Sequence, residues 1–123
     1  MSLEATFITG CEGRRLAFHK HNGNGPTVVF CGGYMSDMEG TKAIYLENTC
    51  KELGLSYLRF DYSGHGKSSE DFVDGTISKW TEDALSVIEH ASDGPLIIIG
   101  SSMGGWIGLL ESLQYRSRWT SLD

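Results

Sequence analysis

Apolar residues in this chain fall into short runs separated by glycine-rich polar turns, and the runs alternate between two periods. Residues 5–9 and 14–19 partly alternate apolar and polar side chains around Gly10-Cys11-Glu12-Gly13, the pattern of an antiparallel hairpin at a sheet edge. A polar loop is predicted over 21–26, where Pro26 introduces Thr27-Val28-Val29-Phe30-Cys31, a buried strand. Over 41–53 the period changes. Ala43, Leu46, Cys50 and Leu53 recur at three- and four-residue spacing, which defines one apolar face of a helix that Gly54 ends. A strand at 57–60 and a turn-rich loop at 61–69 come next. A second helix is predicted over 77–91, capped by Thr76 and turning Ile77, Trp80, Ala84, Val87, Ile88 and Ala91 inward. Asp93-Gly94-Pro95 closes it. Leu96-Ile97-Ile98-Ile99 then fits a strand buried on both faces, and a third helix over 103–113 points Ile107, Leu110 and Leu113 one way.

Strand and helix alternate regularly, so the expected architecture is α/β, with a predominantly parallel sheet, right-handed crossovers and an N-terminal antiparallel hairpin. A chain of 123 residues makes one domain at most, and this one has no internal repeat, linker or low-complexity tract. The tail at 114–123 is atypical, because it has no strand-like apolar run to pair with the far side of the 96–99 strand. An uncovered apolar edge invites pairing. The chain therefore reads as the N-terminal part of an α/β domain, with self-association through the open edge expected.

Charge and composition narrow the function. A net charge of −6 argues against nucleic acid as a partner, and 40% hydrophobic with 21% charged residues is ordinary for a globular protein. No apolar run nears the roughly 20 residues of a membrane span. The opening Met-Ser-Leu-Glu-Ala has neither the basic region nor the apolar core of a secretory signal, so a cytoplasmic location is expected. Cys11, Cys31 and Cys50 lack C-x-x-C spacing and are read as small buried apolar residues, with no metal site and no cofactor implied.

The candidate chemistry centres on Gly100-Ser101-Ser102-Met103-Gly104, a G-x-S-x-G turn between a buried strand and a helix. Small residues two before and two after Ser102 let strand and helix approach closely, which holds the hydroxyl at the apex where a nucleophile belongs. A plain serine cap between two glycines is the competing reading. Acyl transfer also needs two backbone N–H donors for the oxyanion. Met103, directly after the serine at a helix N-terminus, is one candidate, and Tyr34, in the loop after the 27–31 strand, is the other. Gly32-Gly33 lets that backbone approach a ligand closely, or is simply a tight strand exit. Asp61 and His65 are read as structural, the acid accepting local backbone N–H groups and the histidine packing over the loop. His19 and His21 are expected to be exposed on the hairpin and its loop, and His90 sits near a helix C-terminus. None of them is a convincing general base.

Phosphate or nucleotide binding is the rival from another class. It is weak, because Gly40-Thr41-Lys42 stands where a P-loop ends Gly-Lys-Ser/Thr, and Trp106 replaces a needed glycine of the dinucleotide fingerprint. A catalytically inactive fragment that acts by association is the other alternative.

Three segments carry a family resemblance: residues 30–43 (Phe-Cys-Gly-Gly-Tyr-Met-Ser-Asp-Met-Glu-Gly-Thr-Lys-Ala), residues 58–68 (Leu-Arg-Phe-Asp-Tyr-Ser-Gly-His-Gly-Lys-Ser) and residues 100–106 (Gly-Ser-Ser-Met-Gly-Gly-Trp). Together they resemble the α/β-hydrolase superfamily, and within it the abhydrolase-10 branch of small serine hydrolases acting on acyl esters, including palmitoyl thioesters and acyl glucuronides. The likeness spans about residues 7–113. It implies Ser102 as nucleophile, Tyr34 and Met103 as the oxyanion hole, residues 61–69 as scaffold, no cofactor, and a small acyl ester or thioester as substrate. Many superfamily members carry His-Gly where this chain has Gly32-Gly33, a mild difference for a main-chain donor. The family order is serine, acid, histidine, yet the stretch after Ser102 holds one aspartate, Asp123, and no histidine. A chain truncated after the elbow helix, and inefficient as a hydrolase by itself, is expected.

Overall fold

A computed structural model describes residues 5–114, with side chains through residue 110. Five strands form one mixed sheet: β1 (Thr6–Thr9), β2 (Arg15–His21), β3 (Asn24–Cys31), β4 (Leu55–Phe60) and β5 (Leu96–Gly100). Three helices accompany them: α1 (Thr41–Leu53), α2 (Ile77–Ala91) and α3 (Met103–Gln114). The spatial order is β1-β2-β4-β3-β5, with β4, β3 and β5 parallel and β1 and β2 joined antiparallel. Alternate residues of β3 serve two cores. Val29 and Cys31 face Trp80, Val87 and Ile88 of α2 and Ile107 of α3, while Val28 and Phe30 pack with Ala43 and Cys50 of α1. The sheet is therefore sandwiched between helices, and Tyr57 Oη fastens α1 to it by donating to the Ala43 carbonyl at 2.7 Å.

Both long helices fall where periodicity and caps predict them. Thr76 Oγ1 accepts the Lys79 N–H at 3.1 Å, and Gly54 closes α1 at φ 74°, a left-handed conformation that glycine adopts without a Cβ penalty. Several local expectations are corrected. The predicted loop at 21–26 shrinks, because β2 runs on to His21 and β3 begins at Asn24; a register shift between Asn24 and Thr27 accommodates Pro26, which has no N–H to give a ladder. His19 is buried rather than exposed, since β4 pairs with β2 and makes it an interior strand. Burial, then the Arg59 guanidinium, holds its imidazole below the ordinary histidine range. Leu53 in the last turn of α1 and Cys11 in the hairpin turn are exposed. In β5 only Leu96 is fully buried and Ile97, Ile98 and Ile99 are half-buried, because no strand flanks its outer edge among the described residues. The atypical tail beyond residue 114 and the inward direction of Leu113 lie outside what is described.

The strand order places a switch point at β3. The chain leaves β3 through α1 to β4 on one side, then passes through α2 to β5 on the other. In open α/β sheets the crevice beyond the carboxyl end of such a strand is where ligands bind. The loop after β3 and the turn after β5 meet there.

Candidate active site

The turn after β5 is tight because its glycines permit it. A Cβ on Gly104 would run into the Cys31 carbonyl, and one on Gly100 would meet the Gly104 carbonyl and Gly105. Ser101 N–H donates to the Cys31 carbonyl at 3.1 Å, which ties the turn to the end of β3. Between these anchors Ser102 is exposed at φ 58°. A serine gains nothing locally from that left-handed conformation, which costs a non-glycine residue about 1–2 kcal/mol. Its side chain makes no hydrogen bond within the described residues. Gly104 and Gly105 N–H close the first turn of α3 on the carbonyls of Ser101 and Ser102, at 2.9 Å each, while Met103 N–H has no acceptor among the described residues.

The loop after β3 faces this turn. A Cβ built on Gly33 would lie 3.5 Å from Ser102 Cβ and 3.4 Å from the Ser101 carbonyl oxygen, so a larger residue there would press on the serine. Ser36 N–H donates to the Gly33 carbonyl at 3.2 Å across a turn whose third residue, Met35, has φ 59°. Tyr34 occupies the second position. Its N–H has no acceptor among the described residues, and Tyr62 Oη pins the neighbouring Gly32 carbonyl at 3.1 Å. The structure thus sets the Gly33–Tyr34 turn against Ser102, and Tyr34 and Met103 share the wall of one cavity. Lys42 at the start of α1 reaches in as well, its Nζ donating to Ser101 Oγ at 3.1 Å.

Asp61 and His65 are structural, with a reach that local reading misses. Asp61 is buried and accepts Lys67 N–H at 2.9 Å within its own loop, but also Met38 N–H at 2.7 Å from the loop after β3. Burial raises its carboxyl above the ordinary aspartate value, and the two backbone donors oppose the rise. His65 Nε2 accepts Met35 N–H at 3.2 Å, which leaves Nδ1 to donate to the Ser63 carbonyl at 3.1 Å. The loop at 61–69 therefore props up the turn that carries Tyr34. Asp83, in the middle of α2, is a second buried carboxylate, and no nearby motif announces it. It accepts Arg14 Nε at 2.8 Å, Ser63 N–H at 2.9 Å and Ser63 Oγ at 2.6 Å, which locks the 61–69 loop to α2 and the hairpin. Its salt-bridge partner lies 69 residues away. Burial lowers the Arg14 pKa, but Asp83, Glu12 and Glu82 outweigh that and hold the guanidinium above its ordinary value. Among the described residues no histidine hydrogen-bonds Ser102, and no group of histidine, cysteine and carboxylate side chains is arranged to hold a metal.

A mixed sheet with helices on both faces, its loops meeting at the carboxyl end of β3, is the architecture of the α/β-hydrolase fold. The chain belongs to the serine aminopeptidase S33 family, whose model matches residues 24–122. It is 48% identical over 104 residues to the human palmitoyl-protein thioesterase ABHD10, mitochondrial, covering 85% of this chain and 34% of that protein. Among solved structures, the mouse alpha/beta hydrolase domain-containing protein 10 superposes with TM-score 0.91 at 37% identity, over 95% of this chain and 47% of the other. A putative hydrolase from Agrobacterium vitis S4 superposes at 0.87 with 41% identity, over 96% and 48%. The chain spans about a third of the length of the curated relatives it matches. Those relatives, from human, cattle, mouse, orang-utan and rat, are all named mitochondrial, which overturns the expected cytoplasmic location. An organelle address is written in a targeting segment and not in the packing of a fold, so composition and the lack of a secretory signal had no purchase on it.

Proposed function

We propose that this chain carries the nucleophile and oxyanion donors of a serine thioesterase or esterase acting on long-chain acyl groups, the class named in its relatives, and that it works in the compartment those names give. In this reading Ser102 Oγ attacks the acyl carbonyl carbon while its proton passes to a general base. The carbonyl oxygen becomes an oxyanion held by Tyr34 and Met103 N–H. Collapse breaks the carbon–sulfur or carbon–oxygen bond, the leaving group takes the proton, and water later hydrolyses the acyl-serine. The base comes from outside the described residues. The observation that supports this reading best is the positive φ of Ser102, strain kept at a residue with no structural partner.

Treatment with p-nitrophenyl acetate is expected to acetylate Ser102 in preference to the other serines, read as a mass shift on its peptide. Ser102→Ala is expected to abolish that adduct with the circular dichroism spectrum unchanged. Where the base is in place, losing the nucleophile costs about a million-fold in turnover. Acetylation spread evenly over the serines would overturn the reading.

A further inference from the structure

Two cavities flank the crevice, on opposite faces of the sheet. One, of about 560 Å³, lies on the α1 face beside Ser102, and its walls include Thr41, Lys42 and Ser101 as well as Phe30 and Tyr45. A hydrocarbon seated there would desolvate an ammonium and several hydroxyls and offer them no partner. The other, of about 530 Å³, lies on the α2 face between Tyr34, Phe72, Val73, Ile77, Trp80 and Met103. Its walls are different. Tyr34, Phe72 and Trp80 form an aromatic corner, with ring centroids 5.0 Å apart for Tyr34–Phe72, 6.2 Å for Tyr34–Trp80 and 5.8 Å for Phe72–Trp80. The one polar atom of Trp80 is already satisfied, since Nε1 donates to the Ser63 carbonyl at 3.0 Å. Val73, on the short helical turn Phe72–Asp74, is 86% exposed, an aliphatic side chain at the rim with no core to join.

We infer that the hydrocarbon chain of the acyl group occupies the cavity between Tyr34, Phe72, Val73, Ile77, Trp80 and Met103. The inference rests on the reading of Ser102 as the acyl acceptor. Tyr34 and Met103 belong to both places: their N–H groups are the donors aimed at the carbonyl oxygen, and their side chains bound this cavity. A carbonyl held by those donors has its alkyl substituent at the cavity mouth. Val73 and Phe72 then set the preference for chain length, because each methylene that enters is removed from water against apolar walls.

The test titrates a homologous series of ω-bromoalkanols, neutral probes that quench tryptophan on contact, into the full chain bearing Trp106→Phe and Trp119→Phe, which leaves Trp80 as the reporter. Saturable quenching is expected, with Kd falling about fourfold per added methylene, the equivalent of about 0.8 kcal/mol per buried CH2. Val73→Ser, a surface change that leaves the fold intact by circular dichroism, is expected to raise Kd about fivefold. Tyr45→Ser, in the other cavity, is expected to leave Kd unchanged. Quenching that does not saturate, a Kd independent of chain length, or weakening by Tyr45→Ser in place of Val73→Ser would overturn the inference. The two proposals fail separately. A chain-length slope without Ser102 acetylation would keep the cavity and remove the hydrolase reading, and Ser102 acetylation without a slope would do the reverse.

Discussion

Two loops of similar composition lie side by side at the carboxyl end of this sheet, and they are put to opposite uses. The loop at 61–69 contains an aspartate, a histidine and three serines, the residue types of a catalytic site, yet each of these side chains is hydrogen-bonded into the fold. The turn at 100–104 offers a single serine hydroxyl, exposed, strained and without a partner among the described residues. Residue type therefore does not separate scaffold from site here; satisfaction does. Groups whose hydrogen bonds are all taken up internally have none left for a substrate.

The hardest way to break the contrast is to cut the scaffold loop from α2. Asp83→Ala leaves Arg14, 3% exposed, with only the solvent-facing Glu12 and Glu82, and strips Ser63 of the acceptor for its N–H and its hydroxyl. Removing one partner of a buried ion pair costs about 3–5 kcal/mol. Denaturant unfolding should show a loss of that size. A loss under about 1 kcal/mol, the value of a surface pair, would mean that α2 does not hold the loop.

Asp61→Asn is milder, because one amide oxygen still accepts from Met38 or Lys67 while the amide nitrogen faces the other donor. One lost buried hydrogen bond, partly offset by removal of a buried charge, predicts a loss of about 1–2 kcal/mol at neutral pH. The pH dependence has a definite sign. The Asp61 pKa is raised above 3.8 by burial, so the folded state holds its proton more tightly than the unfolded state does. Its contribution to stability is present below pH 3.8 and is lost as pH rises through the folded value. The gap in stability between wild type and Asp61→Asn should therefore be widest below pH 3.8 and narrow as pH rises toward neutral, and the variant should lack that downward slope.

What could be read without coordinates follows from the range of the interactions involved. The bounds of α1 and α2, the cap at Thr76, the stop at Gly54 and the turn at Ser102 depend on residues a few positions apart, and pattern captures them. The burial of His19 depends on β4 pairing with β2 from some 40 residues downstream, and the Arg14–Asp83 pair spans 69 residues. No local period encodes either. Asp61 is intermediate: its bond to Lys67 is local and was expected, whereas its bond to Met38 and the bond of His65 to Met35 need the tertiary fold. That missed pair links the scaffold loop to the turn bearing Tyr34. The cavity beside Phe72 and Trp80 was invisible for the same reason, since its walls come from three separate stretches of chain.

The smallest effect is the most discriminating, because its sign separates the two loops. Substitutions in a satisfied scaffold destabilise, but Ser102 has no partner to lose and sits at φ 58°. Replacing it with glycine relieves about 1–2 kcal/mol of left-handed strain and gives back about 0.5–1 kcal/mol through the greater freedom of glycine in the unfolded chain. Ser102→Gly should therefore be more stable than wild type by about 0.5 kcal/mol, with the Ser102 acetyl adduct gone, whereas Ser63→Gly, which removes a hydroxyl bound to Asp83, should be less stable. Paired denaturation midpoints would check both. A destabilised Ser102→Gly would show that the serine has a structural role after all, and the distinction between a satisfied loop and a strained, available one would have to be abandoned.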